Sequence, residues 1–105
     1  MNNINVWEDA EPGVKRRILG AQGALMVMEV HFEAGAEGYV HQHPHEQMDY
    51  CVEGRFEFSI DDKVTFLEAG QTIYIPGNAR HGAKALEAGV LLDIFTPVRQ
   101  DLLKT

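Results

Sequence analysis

From Arg16 onward the chain is a succession of short runs rich in Val, Ile, Phe and Tyr, each closed by Gly, Pro or paired acidic residues. The spacing of these stops, roughly ten residues, leaves no room for long helices and predicts an all-β sandwich or barrel. In RFEFSI, Phe56, Phe58 and Ile60 share one face and Arg55, Glu57 and Ser59 the other, the alternation of a half-buried strand. Asp61 and Asp62 then predict a tight turn into KVTFL and hence a hairpin. QTIYIP alternates before Pro76-Gly77 turns the chain, and VLLDIF, Val90 to Phe95, is a final strand stopped by Pro97. LMVMEVHF, Leu25 to Phe32, is apolar on both faces at its start; as an exposed edge it could add to a partner's sheet, which predicts a homodimer. The tail VRQDLLKT reads as a short helix packed on the barrel, and the polar first dozen residues read as a loosely held arm.

With 105 residues, one domain is the economical reading: residues 1–105, with a core over about 16–97, an N-terminal arm over 1–15 and a C-terminal helix over 98–105. Apolar residues make up 45% and charged residues 24%, the balance of a chain that folds on its own. A formal charge of -7, with nine scattered Lys and Arg, argues against nucleic acid and anionic lipid as partners. Cys51 is the single cysteine, so no intramolecular disulfide can form. The start MNNINVWEDAEPG has neither a basic stretch nor an apolar run, and the expectation is a cytoplasmic protein without export signal or membrane span.

Three of the five histidines fall in His41-Gln42-His43-Pro44-His45, followed by Gln47. Residues two apart in an extended strand point the same way, so His41 and His43 can converge on one ion, and Gln47 can join after a turn at Pro44. Imidazole suits Zn, Ni, Fe and Cu, and His81 is the natural candidate to close the site. Spacing leaves open the alternative of a His-rich surface loop with His81 hydrogen-bonded locally.

These residues resemble the cupin superfamily, whose first motif is G-x5-H-x-H-x3-E-x6-G and whose second is G-x5-P-x-G-x2-H-x3-N. Gly35, His41, His43 and Gly54 meet the first in register, with Gln47 where the family usually has glutamate. Gly70, Pro76 and His81 meet the second, whereas Asn78 replaces the second glycine and Ala85 the terminal asparagine. The resemblance, over roughly residues 23 to 97, implies a double-stranded β-helix or jelly-roll barrel holding one divalent transition metal, with Zn, Ni, Fe, Mn and Cu all open. With Gln47 as a ligand, the donor set is neutral and leaves the charge of the ion uncompensated, which favours Lewis-acid work on an anionic substrate over iron oxygenase chemistry. Asp49, two residues on, could share the inward face and supply the missing charge.

The stretches HQHPHEQ and VLLDIFTPVRQDLL resemble one small group of cupins more closely, the KdgF-type proteins of pectin and alginate breakdown, in which glutamine replaces the glutamate ligand. The resemblance implies His41, His43, Gln47 and His81 as metal ligands, and Asp93, Phe95 and Arg99 as the reacting segment. The implied activity opens the ring of a 4,5-unsaturated uronate to its linear keto form, with Asp93 moving the proton, Arg99 pairing with the sugar's carboxylate and Phe95 walling the ring. Two rivals stand beside it: a non-catalytic barrel that uses its metal to bind or sense a small anion, and a cupin isomerase or oxygenase acting on another organic acid.

Overall fold

The computed structural model describes residues 3–104. Ten strands form two antiparallel sheets: β1 (Glu8–Asp9), β2 (Val14–Gln22), β3 (Leu25–Phe32), β4 (Glu37–His41), β5 (Glu46–Glu53), β6 (Arg55–Ile60), β7 (Lys63–Glu68), β8 (Thr72–Ile75), β9 (His81–Ala85) and β10 (Gly89–Thr96). One sheet has the order β1-β2-β3-β10-β5-β8 and the other β4-β9-β6-β7. The expected all-β barrel is therefore the one observed. The alternating strands sort as their patterns require: Met26, Met28, Val30 and Phe32 of β3, and Phe56 and Phe58 of β6, are buried between the sheets with Cys51, Ile75, Leu91 and Phe95. Phe32 and Phe56 meet edge to face with centroids 5.0 Å apart. Each such ring contributes about 2–3 kcal/mol through burial and fixes which face of its strand turns inward.

Asp61 and Asp62 both take positive φ, 47° and 67°, which makes the two-residue β6–β7 connection a turn whose twist matches its strands. Two expectations are corrected. Leu25–Phe32 is not an edge: β3 is paired with β2 on one side and β10 on the other, so it has no free ladder to offer a partner. The N-terminal segment is held, because Asn3 donates to the Leu102 carbonyl at 2.8 Å and accepts from the Lys104 amide at 2.9 Å, while Ile4 bridges to Ile18. The helix expected at the C-terminus is a single 3-10 turn, Gln100–Leu102.

Candidate metal centre

The three histidines come from two strand ends and the loop between strands. His41 ends β4, His81 begins β9, and His43 lies in the loop leading to β5. Across β4 and β9 the register runs from Gly38 opposite Ala83 to His41 opposite His81, three residues on one strand against two on the other. That one-residue bulge seats His41 directly across from His81, the re-aiming that bulges beside functional sites perform. His43 and His81 are buried and His41 is exposed, and one ligand nitrogen from each lies within 4.8 Å of the others. The three form a group that can hold a metal ion.

The hydrogen bonds around these rings settle which nitrogens are available. His41 Nδ1 donates to the Tyr39 carbonyl at 2.8 Å, His43 Nδ1 to the His45 carbonyl at 3.1 Å, and His81 Nδ1 to the Ala79 carbonyl at 2.9 Å. A carbonyl only accepts, so in His41 and His81 Nδ1 carries the proton and, in a neutral ring, Nε2 presents a lone pair; His43 stands between two accepting oxygens, the His45 carbonyl and Gln47 Oε1, and its single proton serves one of them. Burial, then the nearby Arg99 charge and the His81 ring, pushes His43 down to about 4; burial also lowers His81. Both rings are neutral at physiological pH. His81 Nε2 is buried without a hydrogen-bond partner, and His43 Nε2 faces the Gln47 Oε1 carbonyl oxygen at 3.0 Å. The buried, orphaned His81 Nε2, with His43 Nε2 and Gln47 Oε1 beside it, is an arrangement that a cation would satisfy.

A cavity of about 240 Å³ opens onto the His41 and His81 rings, lined also by Gln47, Asp49, Asp93 and Arg99. Asp93 stands directly opposite Asp49 in the β10–β5 register, and the two buried carboxyls influence one another's protonation. Burial first, and then the charge of Asp93, raises Asp49 well above the usual carboxylate range; burial raises Asp93 to about 6 although Arg99 and Arg16 pull it down. Two enclosed carboxyls that cannot both ionise hold one proton between them. Asp93 Oδ1 has no hydrogen-bond partner. Phe95 packs 5.7 Å from the His43 ring, and the Arg99 guanidinium lies over Phe95 at 5.3 Å.

The structure thus brings His41, His43, His81 and Gln47 to one place and Asp93, Phe95 and Arg99 to the adjoining wall. His45 stands outside the histidine group. Asp49 is inward and buried, one hydrogen bond from Gln47. Two features escaped the sequence. Arg99 is forked onto Asp101 through Nε and Nη2, at 3.1 and 2.7 Å, a pairing made by the turn after β10. Arg16 lines the cavity, half-buried and with no ion pair among the described residues. In VKRRI the period-two face shared with Val14 and Ile18 was the signal for it.

A barrel of two antiparallel sheets with three histidines gathered where they could hold a metal ion defines a cupin. Residues 28–95 match the Cupin domain family, and the chain belongs to it. Among curated proteins it is similar to the pectin degradation protein KdgF of Dickeya dadantii (strain 3937), 39% identical over 99 residues, which are 92% of this chain and 90% of that one. Among solved structures it is similar to KdgF from Halomonas sp., with TM-score 0.88 and 39% identity over 92% of this chain and 90% of that one. It is also similar to an RmlC-like cupin from Shewanella frigidimarina NCIMB 400, with TM-score 0.87 and 41% identity over 92% and 87% of the two chains.

Proposed function

We propose that the protein is a metal-dependent enzyme that opens the ring of a 4,5-unsaturated monouronate released from pectin or alginate, giving its linear keto form. The observation that carries this reading is the shared cavity: His41, His81 and Gln47 of the candidate donor set and the Asp49–Asp93 carboxyl pair line the same small space. At about 240 Å³ the cavity falls below the ~300–1,000 Å³ typical of drug-sized ligands, a size for a single sugar acid and not for an oligomer. Similarity to KdgF of Dickeya dadantii, a pectin degradation protein, supports the same substrate class.

A divalent ion held by His41, His43, His81 and Gln47 would supply Lewis-acid attraction for the carboxylate and oxygens of the bound acid. Zn, Ni, Fe, Mn and Cu are all accepted by such ligands, one ion per chain. Arg99 is preset beside the cavity by Phe95 and Asp101 and pairs with the substrate carboxylate; Phe95 walls the ring. Ring opening removes the proton of the C1 hydroxyl as the bond from C1 to the ring oxygen breaks. The ring oxygen keeps the electron pair, leaving an enolate at C5, and a proton added at C4 yields the ketone. One proton is removed and one returned, with no net oxidation, and Asp93 is the group at hand for both transfers.

The same reading makes the chain a homodimer in the cytoplasm, where a lone buried thiol, Cys51, remains reduced. No helix among the described residues is long and apolar enough to cross a membrane. The decisive experiment incubates metal-loaded protein with the unsaturated monouronate and follows loss of its ultraviolet absorbance. Acceleration is expected, falling at least ~100-fold in Asp93→Asn and in His43→Ala. An ion-loaded protein that leaves the rate unchanged would sink the reading in favour of a binding barrel.

A further inference from the structure

We propose that Asp49 is a positioning residue for the metal centre: it holds the Gln47 side-chain amide with its carbonyl oxygen turned to the histidines, and couples that amide to Asp93. The proposal rests on the reading of His41, His43, His81 and Gln47 as an ion's ligands. Gln47 Nε2 donates to Asp49 Oδ1 at 2.8 Å, and Gln47 Oε1 sits 3.0 Å from His43 Nε2. Both side chains are enclosed, at 5% and 2% exposed. They are two residues apart on β5 and so share its inward face.

An amide is nearly the same shape either way round, and only one of its ends suits a cation. Turned over, Gln47 would aim its NH₂ group at the ion and its carbonyl at a carboxyl oxygen. The Asp49 oxygen that receives Nε2 disfavours that orientation, because two acceptors would then face each other in a water-poor site. The ligand set makes this role specific. Each histidine is oriented by a backbone carbonyl, those of Tyr39, His45 and Ala79, which no substitution removes. Gln47 alone is oriented by a side chain. Because Asp49 also stands opposite Asp93 in the β5–β10 register, the residue that aims the amide also faces the carboxyl proposed to move the proton. Partners of metal ligands in this position typically account for 10–100-fold in ion affinity.

The test titrates Ni²⁺ or Zn²⁺ into the purified full-length chain against a chromophoric chelator, without substrate, with circular dichroism to verify folding. Asp49→Leu, which removes the acceptor, is expected to weaken ion binding about 10–100-fold, whereas Asp49→Asn, which keeps an acceptor oxygen, is expected to stay within ~3-fold of the parent. Asp49→Ala replaces the leucine variant if that does not fold. The same substitutions are then made on Gln47→Glu. A carboxylate needs no aiming and is repelled by Asp49, so there Asp49→Leu is expected to leave affinity unchanged or raise it, a coupling that general structural damage would not produce. A folded Asp49→Leu protein with parental affinity overturns the proposal, as does an equal loss in both glutamine and glutamate backgrounds or a loss in Asp49→Asn matching that in Asp49→Leu. His43→Ala separates this from the reading beneath it: if that variant binds the ion as well as the parent, the ligand assignment itself fails. Uronate turnover decides neither.

Discussion

Asp93 and Asp49 face each other across β10 and β5, in an enclosure that penalises charge, and this ties the site to the stability of the fold. A carboxyl raised to about 6 binds its proton more tightly in the folded than in the unfolded chain, where its ordinary value is 3.8. Below the unfolded value both states are protonated and the pair is harmless. As pH rises from there through about 6 the unfolded chain releases the proton first, and the folded state loses stability, by an amount of order 2–3 kcal/mol that is complete above that range. Chelator-treated Asp93→Asn protein is therefore expected to melt higher than the parent near pH ~7.5 and equal to it near pH ~4, by thermal unfolding at both values. Equal melting at both would show that the pair carries no buried charge. At this scale the sequence revealed much. The motif residues stood in register, and strand alternation placed Asp93 with Phe95; Asp49 remained ambiguous, because whether a strand carboxylate is solvated or enclosed depends on what covers its face.

The connection between β8 and β9 acts on the site without supplying a ligand. A Cβ at Gly77 would lie 2.5 Å from the Pro44 carbonyl oxygen, so this turn packs backbone to backbone against the histidine loop. The Asn78 amide donates to the His43 carbonyl at 2.7 Å, and the Gln42 side chain returns a bond to the Asn78 carbonyl at 3.1 Å. Asn78 takes φ 66°, a left-handed conformation that asparagine tolerates, which explains how it stands where the family has glycine. Gly77→Ala is expected to push the two segments apart, at ~1–3 kcal/mol of stability, and to weaken ion binding through displacement of His43. Thermal unfolding and ion titration of the one variant measure both effects. Pro76-Gly77 was legible as a turn, since turn chemistry is local; its role as a clamp was not, because Pro44 is distant in sequence. The β4 bulge that sets His41 against His81 was hidden for the same reason.

For the molecule as a whole, the outer face of the larger sheet carries an apolar band. Val27, Ile94, Met48 and Tyr74 lie side by side in register across β3, β10, β5 and β8, with Leu92 and Tyr50 in a neighbouring row. Met48 and Tyr74 are 42% and 48% exposed. A band this continuous is the surface through which the proposed homodimer would pack face to face, in place of the edge pairing that β3 cannot offer. Light scattering is expected to give a dimer for the parent and a monomer with unchanged circular dichroism for Met48→Glu, since a carboxylate at the centre of an apolar interface is left unpaired. A monomeric parent would remove the basis for this interface.

The sequence by itself determined the class of fold and which histidines gather into one group. Period-two alternation records which face each strand buries, and two short motifs hold the ligand types at the required spacings, both being local properties of a chain. Tertiary structure alone decided the order of strands within the sheets, and with it the burial of β3, the pairing of Asp49 with Asp93, the fork of Arg99 on Asp101 and the entry of Arg16 into the cavity. Each of these depends on which distant segments become neighbours, and in an antiparallel barrel that is governed by packing and sheet closure, which no local pattern records.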